Sequence, residues 1–354
     1  MRQEGAVVNT RSSWTSRKLR YWTECSGNSP RSGLPSTHPA PEATGAQQRL
    51  ESLVLEQLGT SPDLCAHPLG IASVSCSPTS LTLHLDAFLG GRQYSFPEHC
   101  LSRLLPTTPG PEGGLEVRGI PGLRIDRTAA DGRRLRLRMV QDPEQTELTL
   151  VLPGEVEEDW VDIEGRHRRW CEDNTLRPLW ANGQLDAVEA DYLGAYPLLE
   201  RSRSNRAAVG SGLLRRSALF HTVATFYRVQ IWDDGDSWKI DARTASPRAS
   251  GHDRFVDRLC HPRWGLPVHL AHRFCWCAPE GAPYQWDHTC AFYFGHAPDD
   301  GPLYLRVHAS PEGYDYRRQV ATLRKAGASM RWMARALPRQ AVQQYEELWR
   351  ESNR

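Results

Sequence analysis

The sequence predicts an α+β protein, with antiparallel sheets, packed helices and a C-terminal helical segment, on three observations. Between residues 70 and 152, "SLTLHLDAF", "GLEVRG", "GLRIDR", "RRLRLRMV" and "TELTLVLP" alternate apolar and polar side chains, which is the period of a half-buried strand. A further hairpin pattern, "FYRVQIWDDGDSWKIDAR", follows after an Arg, Ser and Gly stretch that reads as a domain junction. The last forty or so residues carry helical spacing with caps. At 354 residues the chain has room for two cores. The expected division is a disordered tail over 1–43, an α+β domain over 44–205, a β-rich domain over 206–312 and a helical segment over 313–354.

The tail is rich in Ser, Pro, Arg and Gly and has no sustained period, so it cannot bury enough apolar area to offset the entropy of ordering. Order is expected from "TGAQQRLESLVLEQLG", where Thr44 and Gln47 stand at capping-box spacing, Leu50, Leu53, Val54 and Leu58 share a face, and Gly59 is a stop. In "RRLRLRMV", Arg134, Arg136 and Arg138 fall on one face and Leu135, Leu137 and Met139 on the other, an antiparallel strand with a wet, basic side. The acidic run "GEVEEDWVDIE" reads as an exposed, solvated loop. "NGQLDAVEADYLGAYPLLERS" and "GSGLLRRSALFHTVATFYRV" read as helices, with the "GSG" at 210–212 a linker or a helix start. Asp233, Asp234 and Asp236 form a hairpin turn and lack the alternate oxygen ligands of a calcium loop.

Net charge of +1 excludes a whole-molecule field that would attract polyanions. The basic residues are 40 Arg and 3 Lys, a skew that coding composition explains. Nine Cys at irregular spacing do not form the dense framework of a small secreted domain. The first residues lack the apolar core of a signal peptide, and no run is long enough to cross a membrane, so a cytoplasmic setting with no membrane partner is expected.

Two constellations could carry function. "FCWCAPEGAPYQWDHTC" places Cys275 and Cys277 on one arm of a hairpin and His288 and Cys290 on the other, all able to face one side. These ligand types suit a structural zinc, although a one-residue gap splays thiolates more than the two-residue gap of a zinc ribbon. Cys260, His261, His269 and His272 are substitute ligands, and packing of the cysteines in a core is the competing reading.

The second is "YDYRRQVATLRKAGASMRWMARALPRQAVQQYEELWRE", three short helices marked by Val320 and Leu323, by Trp332, Met333 and Leu337, and by Val342, Tyr345 and Leu348. The arrangement resembles a helix-turn-helix unit in a generic way, with a shorter link and Pro338 where Gly is usual. From Arg317 to Arg350 there are eight basic residues and two acids, so this segment is basic within a neutral chain.

The resulting expectation is a nucleic-acid-binding accessory or regulatory protein, of the kind found in mobile elements or plasmids. Arg324, Lys325, Arg331, Arg335 and Arg339 would contact nucleic acid, DNA before RNA. The alternatives are a non-enzymatic protein–protein assembly subunit and a metal-dependent hydrolase. No phosphate loop, nucleophile elbow or paired-His helix motif occurs in the sequence, which inclines the reading away from an enzyme.

Overall fold

A computed structural model of the 354-residue chain describes residues 42–59, 64–65, 68–85, 89–90, 96–109, 116–140, 145–154, 156–195, 204–217, 226–233, 237–244, 251–262, 265–275, 288–295 and 303–309. The expected tail up to residue 41 and the expected helical segment over 313–354 lie outside the described residues.

The first half opens with α1 (Gly45–Gly59), begun as its capping residues require: Gln47 N donates to Thr44 Oγ1 at 3.3 Å. The hairpin β2 (Ile71–Cys76) and β3 (Ser80–Leu85) comes next, then α2 (Phe96–Leu104) and the meander β6 (Leu123–Asp131), β7 (Arg134–Met139) and β8 (Glu147–Val151). Two short pairs lie beside them: β1 (Leu64–Cys65) with β4 (Leu89–Gly90), and β5 (Thr107–Pro109) with β9 (Leu176–Pro178). Helices α3 (Trp160–Asp173) and α4 (Ala187–Ala195) close the half. Strand order is β2-β3-β8-β7-β6.

The second half repeats this plan. Helix α5 (Ser204–Arg215) precedes the hairpin β10 (Phe226–Asp233) and β11 (Trp238–Thr244). Then come α6 (Gly251–Leu259) and the meander β12 (Leu270–Phe274), β13 (His288–Phe294) and β14 (Leu303–Ala309), in the order β10-β11-β14-β13-β12. In both sheets the last meander strand runs parallel to the second hairpin strand, β8 beside β3 and β14 beside β11, while every other pairing is antiparallel. The sheets are therefore mixed, which corrects the antiparallel expectation: in each half a link containing a helix, α2 or α6, carries the chain back before the meander, so that its first and last strands run in the direction of the hairpin's second strand.

The likeness reaches single residues. Gly119-Ile120-Pro121 and Gly265-Leu266-Pro267 hold the same place before the meander. Ile120 N donates to the carbonyl of Leu104, which ends α2, at 3.0 Å, and Leu266 N donates to that of Leu259, which ends α6, at 2.7 Å. Each glycine is needed because a Cβ would stand 2.4 Å from Leu105 O in one half and 2.3 Å from Leu259 O in the other. Neither half was expected to contain a copy of the other.

One hydrophobic core joins the halves, running from Leu81, Leu83 and Leu148 through Val54 and Leu55 of α1 to Leu213, Trp238, Ile240 and Phe292. Helices α1 and α5 pack against each other, and the contact is polar at its centre. The carboxylate of Glu51 accepts hydrogen bonds from Arg215 Nε (2.7 Å) and Nη2 (2.6 Å), from Ser211 Oγ (2.6 Å) and from Gln47 Nε2 (2.8 Å). The fit explains the "GSG" stretch, which lies inside α5 and is not a linker. A Cβ on Gly210 would come within 2.5 Å of the Trp238 ring, so the helix can lie this close only with glycine there.

Two further readings need correction. The acidic run is a loop only in its first part and enters α3 at Trp160, because Asp159 caps the helix, its Oδ1 accepting from Val161 N at 2.9 Å and Asp162 N at 3.0 Å. And "GLEVRG" contributes no strand among the described residues: Arg118 forms only an isolated bridge with Thr107.

Candidate functional site

Strand β12 is the outer strand of the second sheet, and among the described residues nothing pairs with its far side. Leu270 is 36% exposed and Phe274 52%, two of the three large apolar side chains so exposed among the described residues, and His272 and Arg273 between them are exposed as well. Behind the strand the sheet is well packed. Phe292 and Phe294 of β13 and Leu303 and Leu305 of β14 are fully buried, and the Arg273 guanidinium sits over the Phe292 ring at 5.9 Å. On the opposite face Phe274 meets Tyr293 edge-on at 5.9 Å, Tyr293 packs on Tyr304 at 4.6 Å, and the Lys239 ammonium lies 5.0 Å above Tyr304. Burial, with the neighbouring Tyr293 adding to it, holds the Tyr304 hydroxyl above its ordinary pKa.

The counterpart strand in the first half is closed. Gly122 N donates to Glu189 Oε1 at 2.7 Å, and Arg124 ties the strand to the 182–189 segment through Asn182 O (2.7 Å), Gln184 O (2.9 Å) and the Glu189 carboxylate (2.5 and 3.0 Å). Leu123, Arg124, Asp126 and Glu189 are all buried as a result. The corresponding stretch of the second half, beyond β14, lies outside the described residues.

The structure brings together one pair of the sequence-predicted metal ligands. Cys275 follows β12 directly, and since Phe274 pairs with Ala291, the same antiparallel register sets Cys275 opposite Cys290. Their sulfurs are 3.6 Å apart, with the Cys290 thiol donating. Cys290 is buried and Cys275 exposed. Cys277 lies outside the described residues, and so does the side chain of His288, whose backbone is the first residue of β13. Of the substitute ligands, Cys260 directly follows α6 with its thiol pushed up to about 11 by burial, a setting that favours the protonated form. No group of three or more His, Cys, Asp or Glu placed to hold a metal ion occurs among the described residues. Arg324, Lys325, Arg331, Arg335 and Arg339 lie outside them.

The basic face of β7 is present but neutralised. Arg136 Nε stands 3.2 Å from Glu147, Arg138 Nε 3.1 Å from Asp126 and Arg134 Nε 3.8 Å from Asp131. Arg166 is likewise held by Glu98 and Glu158.

A cleft of about 450 Å³ opens in the first half, between α1, α2, α3 and the 117–121 segment, with His99, Arg103, His167 and Trp170 in its lining. His167 stacks on Trp180 at 4.9 Å and on Trp170 at 5.6 Å, and burial alone lowers its pKa to about 4. The imidazole is neutral at pH 7, so it can pack or accept a hydrogen bond but has no proton to spare for acid catalysis. The sequence reading assigns no role to this histidine, which lies just past the acidic run; the spacing of Trp160, Ile163, His167 and Cys171 is the signal that marks it as an inward helical face.

No protein-family model matches the chain, and no curated protein or solved structure shows significant similarity to it. No helix among the described residues is long and apolar enough to cross a membrane.

Proposed function

We propose that the chain is an assembly subunit that binds another protein by taking an extended segment of it along the outer edge of β12. The observation behind this reading is the contrast between two strands at the same place in the same plan. Strand β6 has its edge covered by residues 182–189, while β12 presents Leu270 and Phe274 to solvent. An open edge offers backbone donors and acceptors to an added strand, which supplies affinity, and alternating side chains supply specificity. Phe274 is the anchor: an aromatic side chain half exposed before binding gains about 1–2 kcal/mol on full burial.

A photo-reactive phenylalanine analogue at position 274, irradiated in the producing cells, tests this directly. The expected product is a covalent adduct to a discrete polypeptide, resistant to nuclease and lost in a Leu270→Glu background that retains the native circular dichroism. An adduct found only with a second copy of this chain, or none at all, overturns the reading.

A second reading, a nucleic-acid-binding accessory protein, is favoured by the distribution of charge. The arginines of β7, and Arg166 and Arg168 of α3, are held by carboxylates, whereas residues 317–350 carry eight basic side chains against two acids. Here Arg324, Lys325, Arg331, Arg335 and Arg339 contact DNA phosphates or base edges. Salt-dependent retention on DNA, reduced when Arg331, Arg335 and Arg339 are changed together to Ala, supports it. Equal elution of the two proteins rejects it.

A further inference from the structure

We propose that the outward face of the second sheet is a platform for single-stranded RNA, on which Tyr293 and Tyr304 stack unpaired bases and Lys239 meets the phosphate backbone. The platform is separate from the backbone edge of β12 and from residues 317–350, so it can stand or fail without either of the readings above.

Across β11, β14, β13 and β12 the directly paired residues are Lys239, Tyr304, Tyr293 and His272. Their neighbours Ile240, Leu303, Leu305, Phe292 and Phe294 are buried in the core, so the alternation of strand side chains turns this row to the outside. Lys239, Tyr304 and Tyr293 are half-buried and His272 is exposed. The two rings lie 4.6 Å apart, and the Lys239 ammonium stands 5.0 Å above Tyr304. Three strand spacings make the row about 14 Å long. Rings on adjacent strands of a four-stranded sheet can stack two or three bases.

The plan shared by the halves does not require these residues. With Leu148 and Leu150 of β8 matched to Leu303 and Leu305 of β14, the same row of the first sheet is Thr82, Thr149, Arg136 and Asp126. Those four include no ring, and their charges are balanced: Arg136 Nε is 3.2 Å from Glu147, and Asp126 is 3.1 Å from Arg138 Nε. The row of the second sheet sets two rings between two basic side chains and has no carboxylate. In the row beside it, the Asp241 carboxylate is taken up by Arg306 at 3.1 and 3.3 Å.

That combination complements a polynucleotide, which carries negative charge along its backbone and a π face on every base. A duplex keeps those faces stacked on one another, so the rings select single strands. The tyrosines also bring hydroxyls, which donate and accept hydrogen bonds and so suit a ribose 2′-hydroxyl that deoxyribose lacks.

The test is fluorescence anisotropy of a labelled, unstructured single-stranded RNA with the full-length chain at low salt, beside the same sequence as duplex RNA and as single-stranded DNA. The single-stranded RNA binds most tightly. Tyr304→Leu, which keeps an apolar side chain at a half-buried position, weakens binding about 5- to 150-fold, the loss of one stacked base. Lys239→Gln makes the slope of log K against log salt shallower by about 0.7. Arg136→Gln, at the place in the first sheet that Tyr293 holds in the second, leaves binding unchanged. Ultraviolet cross-linking of the RNA to the unaltered chain, mapped by mass spectrometry, depends on no variant's folding and puts adducts at Tyr293 or Tyr304. The proposal is overturned by absence of single-stranded RNA binding, by equal affinity for the duplex or the DNA, by a folded Tyr304→Leu variant that binds like the parent, or by adducts confined to residues 317–350.

Discussion

The charge at the contact between α1 and α5 makes the sharpest statement about how the two halves are held. Glu51 and Arg215 are almost wholly buried, the carboxylate accepts the four hydrogen bonds described above, and Arg215 Nη2 also donates to Ser77 O at 2.8 Å. Burial opposes the Arg215 charge, and the hydrogen bonds and field of Glu51 outweigh it, so its pKa is raised. Glu51→Leu leaves a guanidinium inside the protein without its counter-charge, at a cost of about 3–5 kcal/mol. Domains of this kind have about 5–15 kcal/mol in all, so the loss is a large share of the total. Arg215→Met strands the carboxylate and costs a similar amount. The paired change Glu51→Leu with Arg215→Met removes both charges and costs less than either single change, because the desolvation of the pair disappears with it. Equilibrium urea unfolding followed by tryptophan fluorescence gives all four stabilities. Single changes below about 1 kcal/mol, or a double change equal to the sum of the singles, would refute the view that this pair is desolvated at the junction of the halves.

Other consequences follow from the same packing. His167, with its pKa lowered to about 4 by burial, favours the folded state only while neutral; that stability is present above its ordinary 6.5 and is lost as pH falls from 6.5 to about 4. The loss reaches about 3 kcal/mol and is absent from the pH profile of a His167→Phe variant, which keeps the stack between the two indoles. His84, lowered by burial and by Arg134, acts in the same direction. Gly210→Ala forces a methyl to 2.5 Å from the Trp238 ring and 2.9 Å from Ser52 Cβ, and lowers stability by about 1–3 kcal/mol, whereas Gly194→Ala, with open space around it inside α4, is neutral or stabilising. Among the described cysteines, exposed Cys275 alkylates first in the native chain. Cys171, buried and with its thiol pushed up to about 11 by that burial, reacts only on unfolding, which mass spectrometry after graded denaturant resolves.

Much of the secondary structure was legible because burial alternates along single strands. Leu135 and Leu137 of β7, and Leu148 and Leu150 of β8, are the apolar members of their patterns and are fully or almost fully buried. Helix α1 was legible through its cap and its face, Leu50, Val54 and Leu58. What was lost was lost for specific reasons. Helix α2 is only nine residues and helix α3 begins in a run of carboxylates, so composition masked a start that Asp159 makes by capping. The first part of helix α5 was read as a junction from its Arg, Ser and Gly content, with the helix starting no earlier than "GSG", when the smallness of Gly210 and Gly212 serves contact with Trp238 and Leu266.

The duplication was missed because the halves share strand order and a Gly–aliphatic–Pro triplet but little else in sequence. Of the candidate metal ligands, which the hairpin pattern sets on two arms, only Cys275 and Cys290 have described side chains, and their sulfurs lie 3.6 Å apart. The neutralisation of Arg134, Arg136 and Arg138 was not legible, because it depends on Asp126 and Glu147 from neighbouring strands and on Asp131 across the turn.

Hydrogen exchange compares β6 and β12 in one experiment and so bears most directly on the open edge of the second sheet. With β6 clamped by Arg124 and Glu189 and β12 exposed at Leu270 and Phe274, the account predicts slow exchange across 123–126 and fast exchange across 270–274 in the isolated chain, at a pH where both are folded. Equal protection of the two strands would mean that β12 is already covered, and would contradict the proposal that it awaits a partner.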